Sequence, residues 1–283
     1  MKRLLTYLSF VRFSHSVFAL PFALTGALLA WRTQPFSWWQ GFWIVACMVA
    51  ARSAAMGFNR LVDAKFDALN PRTAMRELPR GLLSNREAAL FVVASSIVFV
   101  FAASRLSVLC LVLSPVALAI VFWYSLAKRY TSYTQLFLGL AMAVAPVGGW
   151  IAAGGRGGAE PWLLGLAIGL WVGGFDILYA CQDVDFDRAY GLRSIPVRVG
   201  VGSAIRLSRL MHLATVVVMV ALWRAAALPT FYLAGVLVVA VLLAYEQSLV
   251  SEHDLSQVRK AFDLNGYVGI IYFAATAIAL VIG

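Results

Sequence analysis

The chain has 283 residues, 62% of them apolar and only 13% charged, with a mean hydropathy of +0.83. A soluble domain carries about a quarter charged residues, so a soluble globular chain and a disordered one are both excluded. The formal charge of +10 would suggest nucleic acid on a soluble protein. On a membrane protein it is the ordinary excess of Lys and Arg in cytoplasmic loops, and no nucleic-acid partner is expected.

Nine apolar segments follow one another: residues 13–31, 39–63, 88–104, 109–126, 135–153, 162–181, 205–223, 230–248 and 262–282. A span takes roughly 20 residues, so nine spans with their loops use up the chain. No separate soluble domain fits, and residues 1–283 are expected to form one integral-membrane domain. In lipid the backbone must satisfy its own hydrogen bonds, and long runs without alternation read as helices. The expected fold class is therefore all-α and polytopic. The basic N-terminus lacks an A-x-A cleavage pattern, so residues 13–31 read as a retained span rather than a signal peptide. Pro21, Pro115 and Pro146 fall inside segments and are expected to kink them.

Crossing nine times from the N-terminus places 18 of the 23 Lys and Arg on the N-terminal side and 4 on the other, with Arg52 inside a span. That asymmetry makes the N-terminal side cytoplasmic and puts the C-terminus opposite. The far-side loops are short. Two cytoplasmic loops, 64–87 and 182–204, are long and polar, and such loops tend to carry function.

Six of the 13 acidic residues lie in two windows. The first contains Asn59, Asp63 and Asp67. The second contains Asp176, Tyr179, Asp183, Asp185 and Asp187, and its Tyr179, Asp183 and Asp187 repeat the first window's spacing. Four residues advance a helix by about 400°, so i and i+4 differ by about 40° and rise by about 6 Å. Each motif is thus expected to line one helix face with two carboxylates that can approach a common ion. Hard divalent cations suit oxygen ligands, and Mg²⁺ in particular is held by one or two carboxylates plus substrate phosphates. Either motif alone could be a solvated helix face. Two of them, at the ends of even-numbered spans, facing one compartment and each followed by a basic loop, point to function.

The cations beside them are Arg72, Arg76 and Arg80 after the first motif, and Arg188, Arg193 and Arg198 after the second. Lys128 and Arg129 lie in the loop between. Positive-inside anchoring accounts for most of these charges but not for their company with acidic helix faces. Guanidinium forks and lysine point charges match phosphate oxygens. Carboxylates, a divalent metal and basic side chains together describe a diphosphate site.

Other features are weaker. Gly154–Gly158 lacks a G-K-[ST] sequence and reads as a loop on the far side. Cys47, Cys110 and Cys181 read as packing residues. His15, His212 and His253 are isolated. Gly148-Gly149 and Gly173-Gly174 suit close helix packing.

The chain resembles the UbiA-type family of intramembrane aromatic prenyltransferases. The resemblance rests on Asn59-x-x-x-Asp63-x-x-x-Asp67 continuing into Ala-Leu-Asn-Pro-Arg-Thr, and on Tyr179-Ala-x-x-Asp183-x-x-x-Asp187. It extends to Lys128-Arg129-Tyr130-Thr131 and Gly191-Leu-Arg-Ser-Ile-Pro, and covers nearly the whole chain. Many members carry an acid after the motif asparagine, where this chain has Arg60. Residues 13–23 and Tyr-Ala-Cys-Gln-Asp are similar to bacterial quinone-biosynthesis members.

The resemblance implies nine helices around a central cavity capped by the two cytoplasmic loops, in a bacterial-type inner membrane. It implies Mg²⁺ and a polyprenyl diphosphate donor. Asp63, Asp67, Asp183 and Asp187 would act as catalytic metal ligands, assisted by Asn59. Arg72, Lys128 and Arg193 would hold diphosphate. Tyr179 and Asp176 would line the acceptor side, and Arg12 is set against an acceptor carboxylate. The expected activity is prenyl transfer to a ring carbon of 4-hydroxybenzoate in ubiquinone biosynthesis. The same chemistry on 1,4-dihydroxy-6-naphthoate in menaquinone biosynthesis stays open. So do prenyl enzymes with haem, chlorophyll or lipid-glycerol acceptors, and, more remotely, an ion-coupled transporter. The oligomeric state is left open.

Overall fold

The structure is a computed structural model that describes residues 2–11 and 19–282. Among these residues every regular element is helical: α1 Lys2–Phe10, α2 Leu20–Trp31, α3 Trp38–Leu69, α4 Asn85–Ser104, α5 Val108–Ala127 and α6 Thr134–Ala152. Then come α7 Glu160–Ala180, a 3-10 turn Cys181–Asp183, α8 Val184–Ala189, α9 Ile195–Val199, α10 Val201–Ala225, α11 Phe231–Ser248 and α12 Val258–Ile282.

Eight of these helical stretches are long and apolar enough to cross a membrane, and the twelve-residue α2 is a shorter apolar helix. They correspond to the nine expected segments, the first of which is described from residue 19 on. Pro21 stands in the first turn of α2, where its missing N–H costs nothing; the part of the segment before residue 19 lies outside the described residues. Pro115 and Pro146 lie inside α5 and α6 as expected.

Two local departures from the sequence reading shape the site. The helix expected over 39–63 runs on as the 32-residue α3. At 1.5 Å per residue it is about 48 Å long, well beyond a hydrocarbon core of about 30 Å. Its last turns, with Asp63 and Asp67, therefore overreach the apolar layer. The loop that follows shrinks to residues 70–84 and is closed by a capping box. Ser84 Oγ accepts from Glu87 N, and Glu87 Oε2 accepts from Ser84 N at 2.8 Å. The second motif is not on one regular helix face: α7 stops at Ala180, a 3-10 turn carries Asp183, and α8 carries Asp187. The tighter turn, Cys181–Asp183, re-aims the chain between Tyr179 and Asp183, and Asp183 caps the short helix that carries Asp187.

Helices α6 and α7, α7 and α10, α3 and α4, and α2 and α6 pack against each other most extensively. A Cβ at Gly149 would run into the Ala23 carbonyl, and one at Gly26 into the Pro146 carbonyl. Glycine at both positions therefore lets α2 and α6 meet backbone to backbone. The core centres on Trp171 of α7, fully buried among Phe22, Leu164, Ile168, Met219 and Tyr272. Trp171 Nε1 donates to Asn265 Oδ1 at 2.7 Å, satisfying the indole in the apolar interior. The Gly-rich connection 153–159 lies at the end of α7 opposite the acidic motif. It turns through positive φ at Gly154, Gly157 and Gly158.

Candidate active site

Both acidic motifs open onto one polar cavity of about 330 Å³ at one end of the bundle. Asn59, Asp63, Asp67, Arg72, Lys128, Asp176, Tyr179, Asp183, Asp187 and Arg193 all line it. These are ten of the eleven residues singled out from the sequence. The eleventh, Arg12, lies outside the described residues. The elements that bring them together are the end of α3, the loop after it, the C-terminal cap of α5, the end of α7 with α8, and the loop before α9.

The carboxylates are paired with cations. Asp63, on a side chain only 6% exposed, accepts from Lys128 Nζ at 2.7 Å and from Arg129 Nη2 at 2.8 Å. Asp67 receives both its bonds from Arg76 Nη1, at 2.7 and 2.8 Å. Asp183 is held by the guanidinium of Arg72, through Nη2 to Oδ2 and through Nε to Oδ1 at 3.2 Å. Arg72 Nη1 also donates to the Tyr179 hydroxyl at 2.5 Å, and Asn70 Nδ2 donates to Asp183 Oδ1 at 3.3 Å. Burial opposes the Arg72 charge, but Asp183 and Tyr179 outweigh it and hold that guanidinium above its ordinary pKa. The loop after α3 is thereby clasped across the cavity to the end of α7. Arg193 reaches the Tyr130 carbonyl at 2.7 Å, and its own N–H donates to the Lys128 carbonyl at 2.8 Å. Asp187 makes no ion pair among the described residues.

The lining suits a hard cation. Among the described residues it offers carboxylate, amide and hydroxyl oxygens and neither histidine nor cysteine. No group of three or more His, Cys, Asp or Glu side chains among the described residues forms a ready-made metal cage. Mg²⁺ is commonly held by one or two carboxylates plus phosphate oxygens, so a hard cation here would need oxygens from a ligand to complete its coordination.

A second cavity, of about 700 Å³, is walled almost wholly by apolar side chains of α3, α5, α6 and α7. The two cavities share Arg52, Met56, Tyr124, Leu138 and Met142 along their common wall. Arg52 stands in the middle of α3 with its Nε buried and without a hydrogen-bond partner.

Sequence reasoning singled out neither Arg52, nor Tyr124, nor the pairing roles of Arg76 and Arg129. A single charge inside a span was a usable signal for Arg52. Tyr124 stands four residues before Lys128, on the same face of α5. Nothing local could have shown that Arg76 and Arg129 reach Asp67 and Asp63.

Comparison with known proteins matches residues 19–276 to the UbiA prenyltransferase family. The 4-hydroxybenzoate octaprenyltransferase of Vibrio cholerae serotype O1 is 33% identical over 229 residues, 81% of this chain and 80% of the relative. A UbiA homolog from Aeropyrum pernix K1 superposes with a TM-score of 0.86 at 36% identity, covering 94% of this chain and 98% of the other. A UbiA homolog from Archaeoglobus fulgidus, bound to GPP and Mg²⁺, shares the fold with a TM-score of 0.71 at 19% identity. That match covers 96% of this chain and 99% of the other.

Proposed function

Because the chain belongs to the UbiA prenyltransferase family, we propose that it moves a polyprenyl group from a polyprenyl diphosphate to a ring carbon of 4-hydroxybenzoate, in the making of ubiquinone. One observation carries the reading: a polar cavity where four aspartates meet arginine and lysine shares a wall with a larger apolar cavity. The first suits a diphosphate and the second its hydrocarbon tail. The 4-hydroxybenzoate octaprenyltransferase relatives support the acceptor.

Arg72, Arg76, Lys128 and Arg193 are the groups to hold diphosphate oxygens. Asp63, Asp67, Asp183 and Asp187, with Asn59, are the groups to hold Mg²⁺; the Archaeoglobus homolog binds Mg²⁺ and GPP. When bound, Mg²⁺ neutralises the charge gathering on the diphosphate leaving group. The cations preorganised around the cavity act in the same sense as the allylic C–O bond breaks and its electron pair passes to diphosphate. The apolar wall keeps water from the allylic cation. An electron-rich ring carbon beside the phenol supplies the pair for the new C–C bond, and loss of the ring proton restores aromaticity. Arg12 stays set against the acceptor carboxylate, and Arg52, half-buried on the common wall with its Nε buried and unpartnered, is a second group that fits it. Asp176 and Tyr179 line the acceptor side. From the charge asymmetry of the loops we place the N-terminus and this site on the cytoplasmic face of a bacterial-type inner membrane, with the C-terminus opposite.

The test is prenyl transfer in membranes of cells expressing the chain, given Mg²⁺ and a polyprenyl diphosphate. 4-Hydroxybenzoate and 1,4-dihydroxy-6-naphthoate are offered in parallel. Product from the benzoate alone is expected. Product from the naphthoate alone would move the protein to menaquinone synthesis. Failure with both acceptors, diphosphate release continuing, would remove both and keep the donor chemistry.

A further inference from the structure

The four motif aspartates are not equivalent. Asp63 is neutralised twice, by Lys128 and Arg129, on a side chain 6% exposed. Asp67, 8% exposed, holds Arg76 on both oxygens. Asp183 holds Arg72, with Asn70 added on Oδ1. Asp187, on α8, makes no direct ion pair among the described residues: its carboxylate accepts from the Ser194 hydroxyl and feels Lys128 and Arg72 only at longer range, and it lines the same cavity.

A divalent ion approaching Asp63 or Asp67 must displace a charge-assisted hydrogen bond in a poorly hydrated setting. The displaced guanidinium or ammonium then needs another anion. Diphosphate is such an anion. An ion approaching Asp187 displaces no cation from it. We propose, resting on the diphosphate-transfer reading above, that metal loads in order. A first ion binds at Asp187 without substrate. The Asp63–Asp67 face accepts its ion only together with diphosphate, as Lys128, Arg129 and Arg76 transfer from the carboxylates to diphosphate oxygens. The internal ion pairs are then an exchange device. Metal and diphosphate each raise the affinity for the other, as linkage requires, and the face stays closed to a metal ion alone.

Equilibrium dialysis of the purified protein tests this, with Mn²⁺ as the probe and with or without inorganic diphosphate, each against a protein-free chamber. The wild type is expected to hold one ion alone and a second once diphosphate is added. Asp187→Asn should weaken the metal-alone binding by at least about tenfold, the loss that outer-shell partners by themselves can cause. Asp63→Asn should leave that first binding nearly unchanged and abolish the diphosphate-dependent second ion. A Lys128→Met, Arg129→Gln double variant, which frees Asp63, should take up the second ion without diphosphate. Two ions bound by the wild type without diphosphate would overturn the proposal and leave the functional reading intact. So would equal weakening of the first binding by Asp63→Asn and Asp187→Asn. No metal bound under either condition would overturn the metal-dependent reading itself, and the proposal with it.

Discussion

Replacing Arg52 with methionine separates acceptor binding from everything else the site does. The guanidinium stands on the wall shared by the two cavities, and its Nε is buried without a hydrogen-bond partner. An unsatisfied buried donor costs about 1–3 kcal/mol, so an apolar side chain of similar length should leave the fold as stable or raise it by about 1 kcal/mol. The acceptor carboxylate, in contrast, loses a charged partner. Truncating one side of a buried, hydrogen-bonded charge pair costs about 2–5 kcal/mol. A middle value near 3 kcal/mol is roughly a hundredfold in kcat/KM for the acceptor. Arg52→Lys keeps the charge but not the fork and should fall between. The assay measures transfer of a labelled prenyl group at varied acceptor and, separately, at varied donor, with thermal unfolding of both variants. The expected pattern is a large loss with respect to acceptor, an unchanged donor KM and an unchanged or higher Tm. An acceptor kcat/KM within about threefold of wild type, or a donor KM that rises in step, would refute the assignment of Arg52.

Other outcomes follow from the same geometry. Asp63→Ala and Asp183→Ala should each lower turnover by about 10²–10³-fold, and near-normal turnover of both in membranes would undo the metal-ligand assignment. EDTA should stop transfer and added Mg²⁺ should restore it; full activity in EDTA would remove the metal from the reaction. Gly149→Leu places a side chain where the Ala23 carbonyl already stands. It should destabilise the fold by about 1–3 kcal/mol, read as a lower Tm in detergent, with a wild-type Tm counting against the close α2–α6 contact. Asn265→Leu removes the acceptor of the Trp171 indole N–H, which should cost about 1–3 kcal/mol in unfolding measurements. A neutral result would mean that the indole finds another partner.

The legible part of the site was its local part. Asn59, Asp63 and Asp67 share a face of α3 because helical periodicity is a property of consecutive residues. The same reasoning overreached across Tyr179, Asp183 and Asp187, because the 3-10 turn Cys181–Asp183 that breaks the helix after Tyr179 depends on how the end of α7 meets α8 and α9. The long loop expected at 64–87 shortened for a related reason. Polar residues after Asp63 continue the helix, and hydropathy marks where lipid ends rather than where a helix does.

By itself the sequence determined that this is a membrane-embedded helical bundle, where its spans run, and that two acidic motifs end two of them. Composition and periodicity suffice for that, since a backbone in lipid has few alternatives to a helix. The tertiary structure alone decided which cation sits on which carboxylate. Lys128 and Arg129 stand 65 and 66 residues from Asp63, and Arg72 stands 111 residues from Asp183. It also decided that Asp187 is left without a cation among the described ion pairs, and that Arg52 faces two cavities at once. Such pairings depend on how separate helices cross, and no short-range pattern in the chain encodes a crossing.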